Sequence, residues 1–68
     1  MQLAHTAESL SHLEYLVLNG YHVIIRPRRD AYVMDVHKDG VTTNYVGGLE
    51  HVLLVAYRDA ERALKKSA

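Results

Sequence analysis

Tyr21-His22-Val23-Ile24-Ile25-Arg26-Pro27-Arg28-Arg29-Asp30-Ala31-Tyr32-Val33-Met34-Asp35-Val36-His37-Lys38-Asp39-Gly40-Val41-Thr42-Thr43-Asn44-Tyr45-Val46-Gly47 is the stretch that decides the fold. Its β-branched and aromatic runs, broken by Pro27–Asp30 and by Asp39-Gly40, predict three short antiparallel strands over residues 21–26, 31–37 and 41–46. Asp39-Gly40 is a strong hairpin signal, because a two-residue primed turn needs positive φ at both positions. Pro27 presets φ for a turn, and Asp30 suits its exit. Counting through the second turn sets Lys38 opposite Val41, Val36 opposite Thr43 and Met34 opposite Tyr45. Counting through Pro27–Asp30 as a four-residue loop sets Arg26 opposite Ala31, Ile24 opposite Val33 and His22 opposite Asp35.

These registers sort the side chains onto two faces. Tyr21, Val23, Ile25, Tyr32, Met34, Val36, Val41, Thr43 and Tyr45 share one, the expected core side. His22, Arg26, Asp35, His37, Thr42 and Asn44 share the other, crossed by Ile24, Val33 and Val46. A slip of one residue in either hairpin would mix the two sets.

Helical patterns flank the sheet. From Thr6, expected as N-cap with Glu8 in the first turn, Leu10, Leu13, Leu16 and Val17 fall within one arc, and Tyr15 and Leu18 lie off it. Met1–His5 carries no clear periodic signal and is expected to fray or to fold back as an arm. Asn19-Gly20 supplies a left-handed stop. After Gly47-Gly48, a second helix begins near Leu49 and gathers Leu49, Val52, Leu53, Ala56, Tyr57, Ala60, Ala63 and Leu64 on one face. Arg58, Glu61, Arg62 and Lys65 lie mostly opposite, with Glu61 and Lys65 spaced for an ion pair.

The expected architecture is therefore a single α+β domain over residues 1–68, ordered α-β-β-β-α. Its three-stranded antiparallel meander carries both helices on one face. That order resembles the double-stranded-RNA-binding domain in topology. Members of that family open the second helix with a lysine cluster, where this chain has Gly48-Leu49-Glu50-His51, so the resemblance carries no binding residue across.

Composition narrows the function. The chain has 68 residues, no cysteine, and eight basic against eight acidic residues. Disulfides and thiol chemistry are excluded, which fits a reducing, cytoplasmic setting. A nucleic-acid binder usually shows a basic surplus, and this chain has none. No apolar run approaches the roughly 20 residues of a membrane-spanning helix. With Met1 at its start and no linker, the chain reads as a free-standing domain.

Several places invite a partner. Ile24, Val33 and Val46 form an aliphatic strip on the face that should be wet, extended by Thr42 and Asn44 and, on the outer side of the second helix among His51, Arg58 and Arg62, by Leu54 and Val55. The third strand is expected at a sheet edge without lysine, proline or inward charge to guard it. Arg26, Arg28 and Arg29, with Lys38, make a basic tip suited to phosphates. His22, Asp35 and Asn44, with His37 nearby, have the residue types of an acid–base or metal site, but no nucleophile and no pocket accompany them.

The reading this supports is a non-enzymatic protein-binding module, homodimeric, without cofactor or metal. It would be an adaptor or small inhibitor of the kind phages and mobile elements encode. The alternative is nucleic-acid binding through Arg26, Arg28, Arg29 and Lys38.

Overall fold

The computed structural model describes residues 3–67, with side chains described for residues 8–66. It contains α1 (Leu3–Leu18), β1 (His22–Pro27), β2 (Tyr32–Lys38), β3 (Val41–Gly47) and α2 (Leu49–Ser67). The strands form one antiparallel sheet in the order β1-β2-β3, and both helices pack on it. The α-β-β-β-α order and the meander are those expected.

The second hairpin has the counted register, with Lys38 opposite Val41, Val36 opposite Thr43 and Met34 opposite Tyr45. Asp39 and Gly40 take φ of 54° and 81°, the two positive values of a primed turn. The first hairpin differs from expectation by two residues. Pro27 pairs with Tyr32, Arg26 with Val33, Ile24 with Asp35 and His22 with His37. Pro27 ends the strand instead of opening the turn, and the loop is Arg28–Ala31, closed by the Arg28 N–H donating to the Ala31 carbonyl at 2.8 Å. Side chains alternate with period two, so a slip of two leaves every residue on its expected face. Since Arg28 N–H points at β2, the neighbouring Pro27 nitrogen points to the free edge, where its missing donor breaks no ladder bond.

The core lies between sheet and helices. Met34 and Val36 from β2 are buried against Leu16 from α1 and Val52, Leu53, Ala56 and Ala60 from α2. Leu13, Tyr15, Tyr21, Val23, Tyr45 and Leu49 close its margins. Val41 and Thr43 share this face but are exposed near the β2–β3 turn, and Ile25 and Tyr32 are partly so.

The helix termini explain their own lengths. At the end of α1 the Tyr21 N–H donates to Leu16 O at 3.0 Å and Gly20 N–H to Val17 O at 3.1 Å, with Gly20 at φ 89°. This is a Schellman closure, and its apolar partners Tyr21 and Leu16 both belong to the core. α2 starts when the Gly48 carbonyl accepts from Val52 N–H at 2.9 Å. Glu50 sits in its first turn and Lys65 and Lys66 in its last, each opposite in sign to the helix end it occupies.

Four expectations for the helices are corrected. α1 begins at Leu3, so Thr6 lies inside the helix and Glu8 beyond its first turn; Met1 and Gln2 fall outside the described residues. Leu10 and Val17, expected in the core, are 60% and 54% exposed. Tyr15, expected off the packing arc, meets Tyr57 edge-on at 4.9 Å, and Tyr57 also stacks on His12 at 4.5 Å. An aromatic contact thus joins Leu16 between α1 and α2, which turns α1 relative to its leucine arc. Glu61 pairs with no lysine; it accepts a long hydrogen bond from Tyr57 Oη at 3.5 Å, while Arg62 sits 3.7 Å from Asp59.

Candidate interaction surface

With both helices on one side, the other face of the sheet is open. The register lays its side chains out as three cross-strand rows: Arg26–Val33–Val46, Ile24–Asp35–Asn44 and His22–His37–Thr42.

The middle row centres on Asp35. Its carboxylate accepts from Arg26 Nη2 at 2.6 Å and from Asn44 Nδ2, tying all three strands together. The Asp35 side chain is only 17% exposed beneath these partners, so the group is committed to the sheet rather than presented to a ligand. In the third row His37 Nδ1 lies 2.7 Å from Thr42 Oγ1, a hydrogen bond whose direction follows the imidazole tautomer. The His22 and His37 rings meet edge-on at 6.4 Å.

The residues expected as an acid–base row are therefore regrouped. His22 faces His37 rather than Asp35, and Asp35 holds an arginine and an amide instead of an imidazole. Among the described residues no cluster of three His, Cys, Asp or Glu could hold a metal ion, and no helix is long and apolar enough to cross a membrane.

The aliphatic strip is also rearranged. Val33 and Val46 are direct partners, and Ile24 sits diagonally from Val33, across from Asp35. Ile24 is 57% and Val46 64% exposed, with Val33 half-buried between them. The strip is thus divided, because the Arg26–Asp35 ion pair spans the sheet between Ile24 and the Val33–Val46 pair. Leu54 and Val55 do not join it, because α2 lies behind the sheet. Leu54 lines the outer α1–α2 cleft with Ser9, His12, His51 and Arg58. Val55 is one turn from Asp59, on the flank of α2 that meets β3 through the 2.9 Å bond from Tyr45 Oη to Asp59. Both are half-buried.

β3 is an edge strand, as is β1. Val41, Thr43 and Tyr45 point their backbone groups at β2, so those of Thr42, Asn44 and Val46 point outward. Thr42 and Asn44 therefore contribute side chains to the open face and backbone to the free edge.

The basic residues do not converge. Arg28 and Arg29 are exposed in the β1–β2 loop, and Arg26 beside them is held by Asp35. Lys38 lies at the far end of β2, about 20 Å of strand away, with Nζ 4.8 Å from the centre of the Tyr21 ring.

Tyr45 is the most perturbed ionisable group. Burial, reinforced by its hydrogen bond to Asp59 and the charge of that carboxylate, pushes its phenol up to about 12. The negative charge of Glu61 raises Tyr57 as well. Sequence reading set Asp35 beside Asn44 but missed three groupings: Arg26 with Asp35, the His22–His37 pair and the His12–Tyr15–Tyr57 cluster. Correct pairing across the first hairpin would have shown the second, and the i,i+3 spacing of His12 and Tyr15 was the only local sign of the third.

No family model, no curated protein and no solved structure matches this chain, so its likeness to the double-stranded-RNA-binding domain rests on element order alone.

Proposed function

We propose that this chain is a small non-enzymatic protein-binding module, adaptor-like or inhibitor-like, which engages its partner through the open face of the sheet and the adjoining β3 edge. One observation carries the reading. Ile24, Val33 and Val46 lie on the uncovered face, Val33 and Val46 as direct partners and Ile24 across the Arg26–Asp35 pair, and they run out to an edge strand with no charged side chain in Val41–Gly47. An extended segment of the partner added along β3 would pair with the outward groups of Thr42, Asn44 and Val46 and lay apolar side chains beside the strip. The Asp35 hub holds the three strands in place under it.

The test compares binding partners captured by the wild-type chain and by an Ile24→Asp, Val46→Asp double variant. Both changes are at exposed positions, so the fold should persist by circular dichroism while specific partners are lost. Retention of the same partners would reject the surface. Thr42→Pro, which removes an outward N–H at a position outside the aliphatic residues and the Asp35 hub, separates edge pairing from face contact.

The competing reading, nucleic-acid contact, has the exposed Arg28 and Arg29 in its favour. It requires a gel shift at low salt that Arg28→Ala with Arg29→Ala abolishes.

A further inference from the structure

Two imidazoles face each other across the first hairpin. His22 of β1 and His37 of β2 are direct partners in the ladder, both exposed on the uncovered face, and their ring centres lie 6.4 Å apart. Thr42 of β3 completes their row.

We propose that His22 and His37 together bind a divalent first-row cation of the nickel and copper type, one imidazole from each strand, with the remaining coordination positions left to water. The inference goes beyond the protein-binding reading and does not depend on it.

The donor set selects the metal. Imidazole suits nickel, copper and zinc, but zinc sites ordinarily take three or four protein ligands, whereas tetragonal sites of nitrogen and oxygen donors are those of Cu(II) and Ni(II). A third protein ligand is not at hand. The chain has no cysteine, and the carboxylate of the neighbouring row, Asp35, already holds Arg26 and Asn44. That agrees with the lack of any three-residue metal cluster among the described residues.

The hydrogen bonding prepares one ligand and leaves the other free. His37 and Thr42 form the close, non-hydrogen-bonded kind of antiparallel pair, which brings His37 Nδ1 to 2.7 Å from Thr42 Oγ1. When Nδ1 donates to that oxygen, the lone pair resides on Nε2 and the ring is held in one orientation, as outer hydrogen bonds do for metal-bound histidines. Among the described residues no hydrogen bond engages the His22 ring, so both of its nitrogens are available.

The rings are within reach of a shared cation. With metal–nitrogen bonds of about 2.0 Å, two adjacent ligands place their ring centres roughly 4.5–5 Å apart, so the pair must close from 6.4 Å. Rotation of two exposed side chains supplies that movement without disturbing the core. Local charge does not oppose it. Lys38 lies on the helix side over Tyr21, and Arg26 is paired with Asp35. Since the two ligands come from different strands, the cation favours the folded chain over the unfolded one.

Titration of Cu(II) into the full chain tests the site by two readouts. The melting temperature should rise, and the amide resonances broadened by the unpaired electron should be those around residues 22, 37 and 42. His22→Ala and His37→Ala, both at exposed positions, should keep the metal-free circular dichroism and abolish both effects. His51→Ala, which removes an exposed imidazole from α2, should leave them unchanged. Thr42→Val keeps the branched side chain but loses the hydroxyl; it should weaken binding about tenfold at an unchanged metal-free melting temperature. Broadening centred on the amino terminus or on another histidine overturns the proposal. So does a melting temperature that Cu(II) fails to raise, or a His22→Ala or His37→Ala chain that binds as tightly as the wild type.

Discussion

The two helices of this domain solve the same problem unequally. α2 places Val52, Leu53, Ala56 and Ala60 in the core and turns Arg58, Arg62, Lys65 and Lys66 to solvent. α1 buries Leu16 completely, half-buries Leu13 and Tyr15, and leaves Leu10, Val17 and Leu18 outside. The difference follows from position. α2 lies over β2 and β3, while α1 lies nearest β1, sends Leu16 alone fully into the shared core, and otherwise leans on α2. A helix at the margin of a narrow sheet carries more apolar surface than its own chain can cover, and that surplus is where a partner is to be sought.

Met34 lies beneath residues of both helices, where truncation should have its largest effect. Met34→Ala should cost about 2–5 kcal/mol in urea unfolding. A domain of this size holds roughly 3–10 kcal/mol in total, so the variant should lose about half of its stability and unfold at a much lower urea concentration. A loss under 1 kcal/mol would mean that the helices do not share this core.

Tyr57→Ala removes the contact through which α1 leans on α2, and a cost of about 1–3 kcal/mol is expected, with reduced α1 protection in hydrogen exchange. Equal loss of protection in both helices would show that they do not differ as described.

The tie between α2 and β3 is open to titration. Tyr45 has a raised folded-state value, about 12 against an ordinary 10, so its burial stabilises the fold below pH 10. That contribution is lost as pH rises from 10 through 12. Absorbance should show a phenol ionising near 12, and Asp59→Asn should bring it down part of the way, leaving the share due to burial.

The smallest effect sharpens the contrast most. Leu18 is 79% exposed, and Leu18→Ala should change stability by no more than about 0.5 kcal/mol, beside the several expected for Leu16→Ala two residues away.

Much of this was legible in the residues. Asp39-Gly40 fixes one hairpin because few dipeptides accept its dihedrals, and Val36 and Met34 follow from counting. Pro27 misleads because a proline fits equally well inside a turn or at the last position of an edge strand, and only the backbone bond from Arg28 to Ala31 decides between them. The faces survived that error by parity, whereas the partners did not, which is why His22 and Asp35 were joined wrongly. The orientation of α1 was beyond periodicity. Its leucines spread around the helix, and the choice among them is made by an aromatic cluster involving Tyr57, forty-two residues from Tyr15 in sequence. The strip of Ile24, Val33 and Val46 was foreseeable as a surface, but nothing in a linear sequence specifies what would cover it.

The proline at the end of β1 has a bearing on how far such a molecule can polymerise. Its nitrogen faces outward and offers no hydrogen, so a strand arriving at that side meets an interrupted ladder. If two copies joined through β3, both permissive borders would be consumed and only proline-marked borders would remain. Growth past six strands would then have to pair on a border that lacks one of its donors.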